Sequence, residues 1–365
     1  MKYKRENPYF ATLHKRYLLN KPGSTKKTYH ISLKVGPEEL EYQPGDSLGI
    51  IPLNEMSLIE KTLDALKAEK FDKKNIELLH KVNICAGTKK LLELILKNTK
   101  DIAHKNKIEF LLSDRELLKN YLNSNHVWEI LTMYPSDFLI TDFCCTLKPM
   151  LPRFYSIASS SKIVNNEIHL LVAENTYHLK DKLFHGIGSN YLCNLAKTND
   201  KIAIYVQKSP HFKLPKLSET PIIMIGPGTG IAPFKAFLQE RIAMNPSTRN
   251  WLFFGERNRS CDYYYQEFLE ELNSNNNLDI DLAFSRDQEK KIYVQDLIQE
   301  KGEKFFKWIQ NNATIYVCGD AKQMSKSVEE AILNVFQEHG KMTEPEAKTY
   351  LKELRKSKRY LCDVY

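Results

Sequence analysis

Several features that would place this chain of 365 residues in a special class are missing. It has no apolar run of the length that a membrane-spanning helix needs, and its first residues, M-K-Y-K-R-E-N-P, lack the apolar segment of a secretory signal. The seven cysteines are odd in number, and no two have the C-x-x-C spacing of zinc sites and redox motifs. We therefore expect a cytoplasmic protein with reduced thiols, without a membrane span, a disulfide framework or a metal site.

Acidic residues are outnumbered, with 45 Asp and Glu against 53 Lys and Arg, which gives a formal net charge of +8. A positive field attracts nucleic acid, an anionic cofactor or an acidic protein, and composition does not choose among them. The basic stretches at 2–5 and 355–359 are short and lack the interleaved aromatic residues of nucleic-acid-binding modules. We interpret them as solvated surface and expect no nucleic-acid partner.

The first part of the chain has the pattern of an antiparallel barrel. Alternation typical of strands occurs at 29–35 and 47–51, on either side of the turn Q-P-G-D at 43–46. From about 55 to 131, leucine and isoleucine follow helical spacing instead, and strand-like sequence returns at 153–159, 167–173 and 201–206. The pattern predicts one barrel that a helical insert interrupts.

After Pro221, strands alternate with helices, which predicts a doubly wound parallel sheet. The predicted strands are 222–225, 251–254, 279–283 and 314–318, and the predicted helices are 234–243, 265–272, 303–310 and 321–338. Ligands of such sheets bind beyond the carboxyl ends of the strands. The loops at 226–230, 285–286 and 318–320 are therefore expected to converge on one crevice.

A glycine-rich turn follows the first of these strands in T-P-I-I-M-I-G-P-G-T-G-I-A-P-F, at 220–234. A strand that turns tightly onto a helix N-terminus brings backbone N–H groups and the positive end of the helix dipole against a pyrophosphate. Without support, the same pattern also serves plain connections between strands and helices. We interpret it as a nucleotide site.

Charges near the third predicted strand favour NADP over NAD. Ser285 and Arg286 follow that strand, and Lys291, Tyr293 and Gln295 come shortly afterwards. A 2′-phosphate requires cations and hydroxyl donors, whereas an NAD site often offers a carboxylate to the 2′-hydroxyl. The alternative for this stretch is a surface ion pair followed by a solvated helix start.

The segment R-F-Y-S-I-A-S-S, at 153–160, combines the groups that a flavin requires. A guanidinium such as that of Arg153 binds a pyrophosphate in a bidentate manner, an aromatic ring such as that of Tyr155 stacks on a flat heterocycle, and the hydroxyl of Ser156 can reach a ring nitrogen. Taken alone, the four letters R-F-Y-S also fit an ordinary half-buried strand.

Together these motifs resemble the FAD/NADPH reductase part of the diflavin reductases, and most of all the flavoprotein subunit of NADPH-sulfite reductase. The resemblance extends over nearly the whole chain and includes the helical insert. It is carried by Y-Q-P-G-D-S-L-G (42–49), R-F-Y-S-I-A-S-S, G-I-G-S-N-Y-L (186–192), G-P-G-T-G-I-A-P-F, S-R-D-Q with K-I-Y-V-Q-D (291–296), Y-V-C-G-D-A (316–321) and the terminal D-V-Y.

The resemblance implies a two-domain fold like that of ferredoxin-NADP reductase. An antiparallel β-barrel for FAD would comprise 1–55 and 140–215, with a helical connecting insert at 56–139. A doubly wound, parallel-sheet NADP domain would comprise 216–365. It also implies that the chain lacks the FMN domain of the diflavin enzymes.

The resemblance implies a role for each matching residue. Arg153 would hold the FAD pyrophosphate, Tyr155 would stack on the flavin, and Ser156 would bond to its N5. The other implied FAD residues are Phe154, Leu171, Val172, Ala173, Tyr177, Gly186, Ile187, Gly188 and Ser189. Simple packing is the alternative for Tyr177.

On the nicotinamide side, Gly228 and Thr229 would lie next to the dinucleotide. Ser285, Arg286, Lys291, Tyr293 and Gln295 would bind its 2′-phosphate and adenine. Cys318 and Asp363 would line the hydride path with Ser156, and the ring of the last residue, Tyr365, would shield the flavin. Without the resemblance, Cys318 would be a buried small residue and Tyr365 a frayed terminus.

The implied activity is that of an NADPH:acceptor oxidoreductase, in which FAD takes hydride from NADPH and passes electrons to a separate protein. That partner would be an acidic flavodoxin, an FMN protein, or a haem or iron-sulfur subunit. A scaffold that binds nucleotide without turnover is the alternative. Two residues depart from the family pattern: Ser327 replaces an aspartate that contacts the nucleotide, and Lys213 replaces an arginine.

Overall fold

The chain forms two compact units in a computed structural model that describes residues 2–37, 40–70, 72–179, 182–244 and 249–365. The first unit comprises Met1–Gly49, Phe154–Ala173 and Thr198–Tyr365, and the second comprises Ile50–Arg153 and Glu174–Lys197. Each unit is therefore discontinuous in sequence.

Strands make up two larger sheets and one hairpin in the described ranges. They are β1 (Tyr9–Leu18), β2 (Thr28–Lys34), β3 (Ser47–Ile51), β4 (Arg153–Ser156), β5 (Glu167–Ala173), β6 (Thr176–Leu179), β7 (Lys182–His185), β8 (Lys201–Gln207), β9 (Ile222–Ile225), β10 (Asn250–Glu256), β11 (Asp279–Phe284), β12 (Thr314–Gly319) and β13 (Tyr360–Val364).

The helices fall mainly between β3 and β4 and around the second sheet. They are α1 (Met56–Ala65), α2 (Lys73–His80), α3 (Lys89–Asn98), α4 (Ile102–Ser113), α5 (Arg115–Asn123), α6 (Val127–Met133), α7 (Ile140–Thr146), α8 (Ile187–Asn190), α9 (Ile231–Met244), α10 (Arg259–Asp262), α11 (Gln266–Ser274), α12 (Val294–Glu300), α13 (Gly302–Gln310), α14 (Met324–Gly340) and α15 (Glu344–Lys356).

The six-stranded sheet has the order β4-β3-β8-β1-β2-β5, so strands from before and after the helical segment lie in one sheet. Strand β1 pairs antiparallel with β2 and β8, and β2 pairs antiparallel with β5. Its inward face carries fully buried aliphatic side chains at alternate positions, for example Ile31 and Leu33 on β2 and Ile202 and Ile204 on β8. The predicted interruption of one β structure by helices is confirmed.

The second sheet is parallel and has the order β11-β10-β9-β12-β13. Its central strand β9 is buried on both faces: Ile223 and Ile225 face one apolar cluster, and Ile222 and Met224 face another. The strand order changes direction between β9 and β12, which is the position where ligands of doubly wound sheets bind. The predicted parallel α/β architecture is confirmed.

Helices α1–α7 pack around their own apolar core in the second unit. Four of them begin at a side chain that accepts a hydrogen bond from the first turn, namely Asp72, Thr88, Asp101 and Asp114. The same unit contains the β6–β7 hairpin and the short α8, which continues into a π-helix at Tyr191–Leu195.

Element boundaries differ from the expectations in a few places. The helical segment extends to Thr146, beyond the expected end near 131. Strand β4 ends at Ser156, and Ile157 then forms only an isolated bridge with Leu170. Helix α14 begins at Met324, three residues after the predicted start at 321. The carboxylate of Asp320 accepts hydrogen bonds from the N–H groups of Lys322 and Gln323, which lie between Asp320 and the helix. The sequence patterns missed β1, β6, β7, α10, α12, α15 and β13.

Candidate functional site

The glycine turn connects the central strand β9 to helix α9 through a short 3-10 segment at Gly228–Gly230. A Cβ atom on Gly230 would lie 2.1 Å from the carbonyl oxygen of Cys318, so only glycine allows the turn to approach β12 this closely. Gly228 has φ +59°, and a Cβ there would meet only the carboxylate of Glu256, at 3.5 Å. The turn therefore packs closely against β12 at Gly230, whereas the space next to Gly228 is free for a ligand or a methyl group.

A cleft of about 420 Å³ opens in front of this turn. Four of the predicted dinucleotide residues, Gly228, Ser285, Tyr293 and Gln295, line it. The other lining residues are Lys26, Pro227, Gly255, Glu256, Arg257, Ala283, Val294, Asp320, Gln323, Met324 and Ser327. Residues at the carboxyl ends of β9, β10, β11 and β12 therefore line one cleft, as predicted for the crevice of this sheet.

Three further predicted residues do not line this cleft. Arg286 follows Ser285 and is exposed, and its N–H donates to the carbonyl of Arg257, at 2.8 Å. Lys291 is also exposed. Thr229 is the middle residue of the 3-10 turn.

A serine, a thiol and a carboxylate form a cluster beside the turn. Ser156 at the end of β4 donates a hydrogen bond to Asp363 on β13, with Oγ and Oδ2 3.2 Å apart. Cys318 on β12 is directly opposite Asp363 in the parallel register and is fully buried. The structure thus brings together the three residues that were predicted to line the hydride path.

Burial changes the ionisation of this cluster. It raises the pKa of the Asp363 carboxyl, and the hydrogen bond from Ser156 opposes that change. The pKa of the Cys318 thiol is well above its usual value because the thiol is buried and because the charge of Asp363 disfavours a thiolate. Both effects favour the neutral thiol form of Cys318.

The last residue, Tyr365, is held by hydrogen bonds rather than frayed. Its N–H donates to the carbonyl of Gly319, at 3.0 Å, and its carbonyl accepts from the N–H of Ala321, at 3.1 Å. Its hydroxyl lies 2.6 Å from Oγ1 of Thr229, yet 63% of the residue's surface stays exposed. The ring is thus tied to the glycine turn by one side-chain hydrogen bond.

The predicted flavin residues of the first unit lie on β4 and β5. Phe154 is half-exposed and packs edge-on against Tyr205, with the ring centroids 5.9 Å apart. Tyr155 is partly buried. Leu171 and Val172 are buried, whereas Ala173 is exposed.

The predicted flavin residues of the second unit include Arg153, whose guanidinium donates to the carbonyl of Leu151, at 2.8 Å. The ring of Tyr177 stacks on Phe184, with the centroids 5.9 Å apart and an interplanar angle of 24°. Both rings line a cavity of about 220 Å³, which Ile187 also lines.

The segment at 186–189 begins α8. The N–H of Gly186 donates to the carbonyl of Asn175, at 2.7 Å, and Oγ of Ser189 accepts from the N–H of Asn175, at 3.0 Å. Gly188, like Ser189, is buried. These bonds fix the start of α8 against the residue that precedes β6.

The two departures from the family pattern have different surroundings. Ser327 lines the cleft in front of the glycine turn. The ammonium group of Lys213 lies 2.5 Å from the buried carboxylate of Asp46. The backbone carbonyl of Lys213 accepts a hydrogen bond from the hydroxyl of Tyr316, at 2.7 Å. Lys213 thus has a structural partner that explains a cation at this position.

Sequence reasoning missed Lys26 and Glu256, which face each other in the cleft. Lys26 lies on the loop between β1 and β2, 230 residues before Glu256, and forms an ion pair with it. No local motif marks either residue, because their proximity arises only when the β1–β2 loop packs on the parallel-sheet part. Asp320, which also lines the cleft, was within a quoted motif without an assigned role.

The described part of the chain has neither a membrane-spanning helix nor a cluster of metal-binding side chains. No helix there combines the length and the apolar character that crossing a bilayer requires. No group of three or more His, Cys, Asp or Glu side chains there is arranged to hold a metal ion.

Family models match both parts of the chain. The model of the FAD binding domain matches residues 1–83 and 74–191, and the model of the oxidoreductase NAD-binding domain matches residues 224–330. The first model alone covers more than half of the chain. Both matches confirm the expected cofactor classes, FAD and a nicotinamide dinucleotide.

The whole chain is similar to flavoprotein components of sulfite reductases. It is 37% identical over 369 residues to the sulfite reductase [NADPH] flavoprotein alpha-component of Yersinia enterocolitica and 36% identical over 371 residues to that of Mannheimia succiniciproducens. Both alignments include 100% of this chain but only 61% and 62% of the relatives, so the chain spans about three fifths of their length. The chain belongs to the family of the FAD binding domain, whose model matches more than half of it.

Proposed function

We propose that this chain is an NADPH-dependent flavoprotein oxidoreductase that passes electrons to a separate protein. The observation that carries the proposal is the hydrogen bond between Ser156 and Asp363. It joins the strand that carries the flavin motif to the last strand of the parallel sheet, beside the glycine turn. A hydroxyl, a neutral thiol and a carboxylate thus meet where two redox cofactors would exchange hydride.

The cleft at the glycine turn fits a dinucleotide. The open side of Gly228 lets a phosphate approach the backbone at the start of α9, and the closed side at Gly230 fixes the turn against β12. We assign the 2′-phosphate and adenine to Ser285, Arg286, Lys291, Tyr293 and Gln295, which favours NADPH over NADH. The names of the similar flavoproteins, which specify NADPH, support this preference.

The flavin motif fits FAD, with Arg153 assigned to the pyrophosphate, Tyr155 to stacking and Ser156 to the ring edge. The remaining proposed contacts are Phe154, Leu171, Val172, Ala173, Tyr177 and residues 186–189. FAD, when bound, accepts two electrons as hydride and releases them one at a time.

The residues of the cluster have distinct proposed tasks. The carboxylate of Asp363 would stabilise the positive charge that develops on a nicotinamide as hydride leaves it. The Ser156 hydroxyl, which now donates to Asp363, can redirect its proton to an acceptor nitrogen. The ring of Tyr365 would leave its place when nicotinamide enters, and this movement breaks only one side-chain hydrogen bond, to Thr229.

We propose an acidic acceptor protein as the partner. The net charge of +8 accelerates encounter with an anionic carrier such as a flavodoxin or an FMN protein, and added salt should slow that encounter. The similar proteins are named as alpha-components of sulfite reductases, and we propose a haem-containing subunit as the alternative acceptor.

Anaerobic reduction of the flavin tests this function. The purified chain is reconstituted with FAD, and the flavin absorbance is followed after NADPH or NADH is added. We expect NADPH to bleach the flavin faster than NADH, and the Asp363→Asn variant to bind FAD but to bleach slowly. A chain that stays colourless with FAD would refute the proposal, and a coloured chain that NADPH does not bleach would indicate a scaffold.

A further inference from the structure

The outer face of the antiparallel sheet carries aromatic rings on three of four neighbouring strands, β4, β3, β8 and β1. Phe154 on β4 packs edge-on against Tyr205 on β8. A Cβ on Gly49 of β3 would lie 2.7 Å from the Tyr205 ring and 3.1 Å from the Phe154 ring, so the glycine makes room for both rings. Phe10 on β1 lies opposite Ala203, which is two residues before Tyr205, and it therefore lies on the same face.

Two rings of this aromatic row remain exposed to solvent. Phe10 keeps 58% of its surface exposed, and Phe154 keeps 50%. Exposed apolar groups that share one face and are bordered by polar residues are typical of protein-interaction sites. Aromatic side chains are also enriched at the centres of protein interfaces, where they contribute much of the binding energy.

Lysines border the aromatic row on the same face. Lys201 on β8 and Lys34 on β2 both lie opposite Thr12 of β1, one on each side of it. Lys15 lies beyond the bulge of β1, opposite Ser32, and again on the outer face. All three lysines are exposed, and none of them forms an ion pair within the described part of the chain.

The carboxylate that the strand register places next to these lysines belongs to Glu167 on β5, opposite Lys34. It accepts a hydrogen bond from Oγ of Ser32, at 2.6 Å, and lies 2.8 Å from Nε2 of His169. Against this one carboxylate, which already has partners, the three lysines give the face a positive charge. A positive face with an aromatic centre is complementary to a negatively charged protein surface.

We propose that this outer face is the docking surface for an acidic electron carrier, with Phe10 at the centre of the contact and Lys15, Lys34 and Lys201 at its border. The inference rests on the proposed function, and it specifies the part of the molecule that meets the partner. Strand β4, which contributes one ring to the row, also carries the flavin motif. A carrier bound to this face therefore lies against the strand that is assigned to the source of its electrons.

Reduction of a flavodoxin of net negative charge tests the inference. The chain is reconstituted with FAD and supplied anaerobically with NADPH, whose two electrons reduce two flavodoxin molecules by one electron each. The second-order rate constant of this reduction is measured at several salt concentrations. We expect the double variant Lys34→Glu, Lys201→Glu to lower it by about 30-fold at low salt, because electrostatic steering raises association rates by about 10- to 1,000-fold. The loss should shrink as salt is added.

Phe10→Ala tests the aromatic centre separately from the charges. It should lower the same rate constant by about tenfold, because truncation of a central aromatic residue weakens an interface by more than 1 kcal/mol. Salt should change this loss little, since an apolar contact is not screened.

The double variant Lys352→Glu, Lys356→Glu is the matched control, since it changes the net charge by the same amount within the same unit. Both lysines are exposed on α15, away from the antiparallel sheet in the chain and in the fold. This control should lose far less of the rate constant than the docking-surface variant. Bleaching of FAD by NADPH, measured before flavodoxin is added, should be unchanged in every variant, and thermal unfolding checks that each of them folds.

The inference is wrong if the variant of Lys34 and Lys201 reduces flavodoxin at the normal rate, if the control loses as much, if the loss is the same at high salt, or if Phe10→Ala has no effect. A chain whose flavin NADPH bleaches but which does not reduce the flavodoxin would also overturn it, because the partner would then be of another class. Failure of NADPH to bleach the flavin would instead refute the proposed function, and it is observed before any flavodoxin is present.

Discussion

Substitution of the two glycines of the turn should have opposite consequences. A Cβ on Gly230 would lie 2.1 Å from the carbonyl oxygen and 2.8 Å from the carbonyl carbon of Cys318. Ordinary van der Waals contact begins at about 3.4 Å, so the turn or β12 must move by about 1 Å. Both obstacles are backbone atoms in the centre of a parallel sheet, and neither can rotate away. We expect Gly230→Ala to lower the free energy of unfolding by about 3 kcal/mol.

Gly228→Ala should affect ligand binding more than stability, in contrast to Gly230→Ala. A Cβ there would meet only the carboxylate of Glu256, at 3.5 Å, so the folded protein has room for it. The left-handed backbone at Gly228 still destabilises an alanine by about 1 kcal/mol. The methyl group would, however, occupy the open side of the turn. We therefore expect Gly228→Ala to reduce NADP⁺ affinity by more than tenfold, about 1.4 kcal/mol or more, while it costs about 1 kcal/mol of stability, less than Gly230→Ala.

Chemical denaturation and NADP⁺ titration of both variants provide the measurements. Gly230→Ala should also slow flavin bleaching by NADPH, because a shift of the Cys318 carbonyl displaces β12 from its register with Asp363. The reasoning would be refuted if Gly230→Ala were as stable as the unmodified protein, or if Gly228→Ala were the more destabilising of the two.

Three further predictions concern separate parts of the first unit. Arg286→Ala should raise the KM for NADPH by about 10- to 100-fold and leave that for NADH unchanged, because a charge-assisted bond to a 2′-phosphate is lost; equal losses for both would overturn the 2′-phosphate assignment. Burial, with a smaller effect of neighbouring charges, lowers the pKa of His30 to about 3 from 6.5, so the folded protein binds fewer protons than the unfolded chain and stability falls as the pH falls from 6.5 to 3. His30→Asn should flatten that part of the stability–pH curve, and an unchanged curve would contradict this. Tyr365→Phe removes the bond to Thr229 but keeps the ring, so NADP⁺ should bind more tightly, and weaker binding would show that the hydroxyl helps to hold the ligand.

Strong local signals explain which elements could be predicted. The strands at 222–225 and 314–319 are buried on both faces, and a glycine follows the first and ends the second, so their type and position follow from sequence alone. Strand β1 was missed because its register shifts between Leu13 and Lys15, which breaks the two-residue alternation. Strand β13 has only five residues, and it forms because β12 offers a free edge for pairing.

In the candidate site, too, some parts could be predicted from short stretches of sequence and others could not. Its glycine turn and the motifs at 153–156 and 316–321 are contiguous, so each could be recognised in one short stretch. The contact between Ser156 and Asp363 spans 207 residues, and no local pattern predicts it; only the family resemblance implied that the two residues lie together. Whether Arg286 and Lys291 line the cleft also depends on how the loop after β11 packs, and in the structure they do not line it.

By itself, the sequence determined the two architectures and the chemical groups of the site, because period-two alternation, apolar strands and glycine turns are properties of short segments. Only the tertiary structure decided that Lys26 pairs with Glu256 and that the hydroxyl of Tyr365 meets Thr229, and it supplies the packing that brings Asp363 to Ser156, which the family resemblance had implied. Such pairs form when separate elements pack together, and the distance along the chain between partners carries no information about that packing.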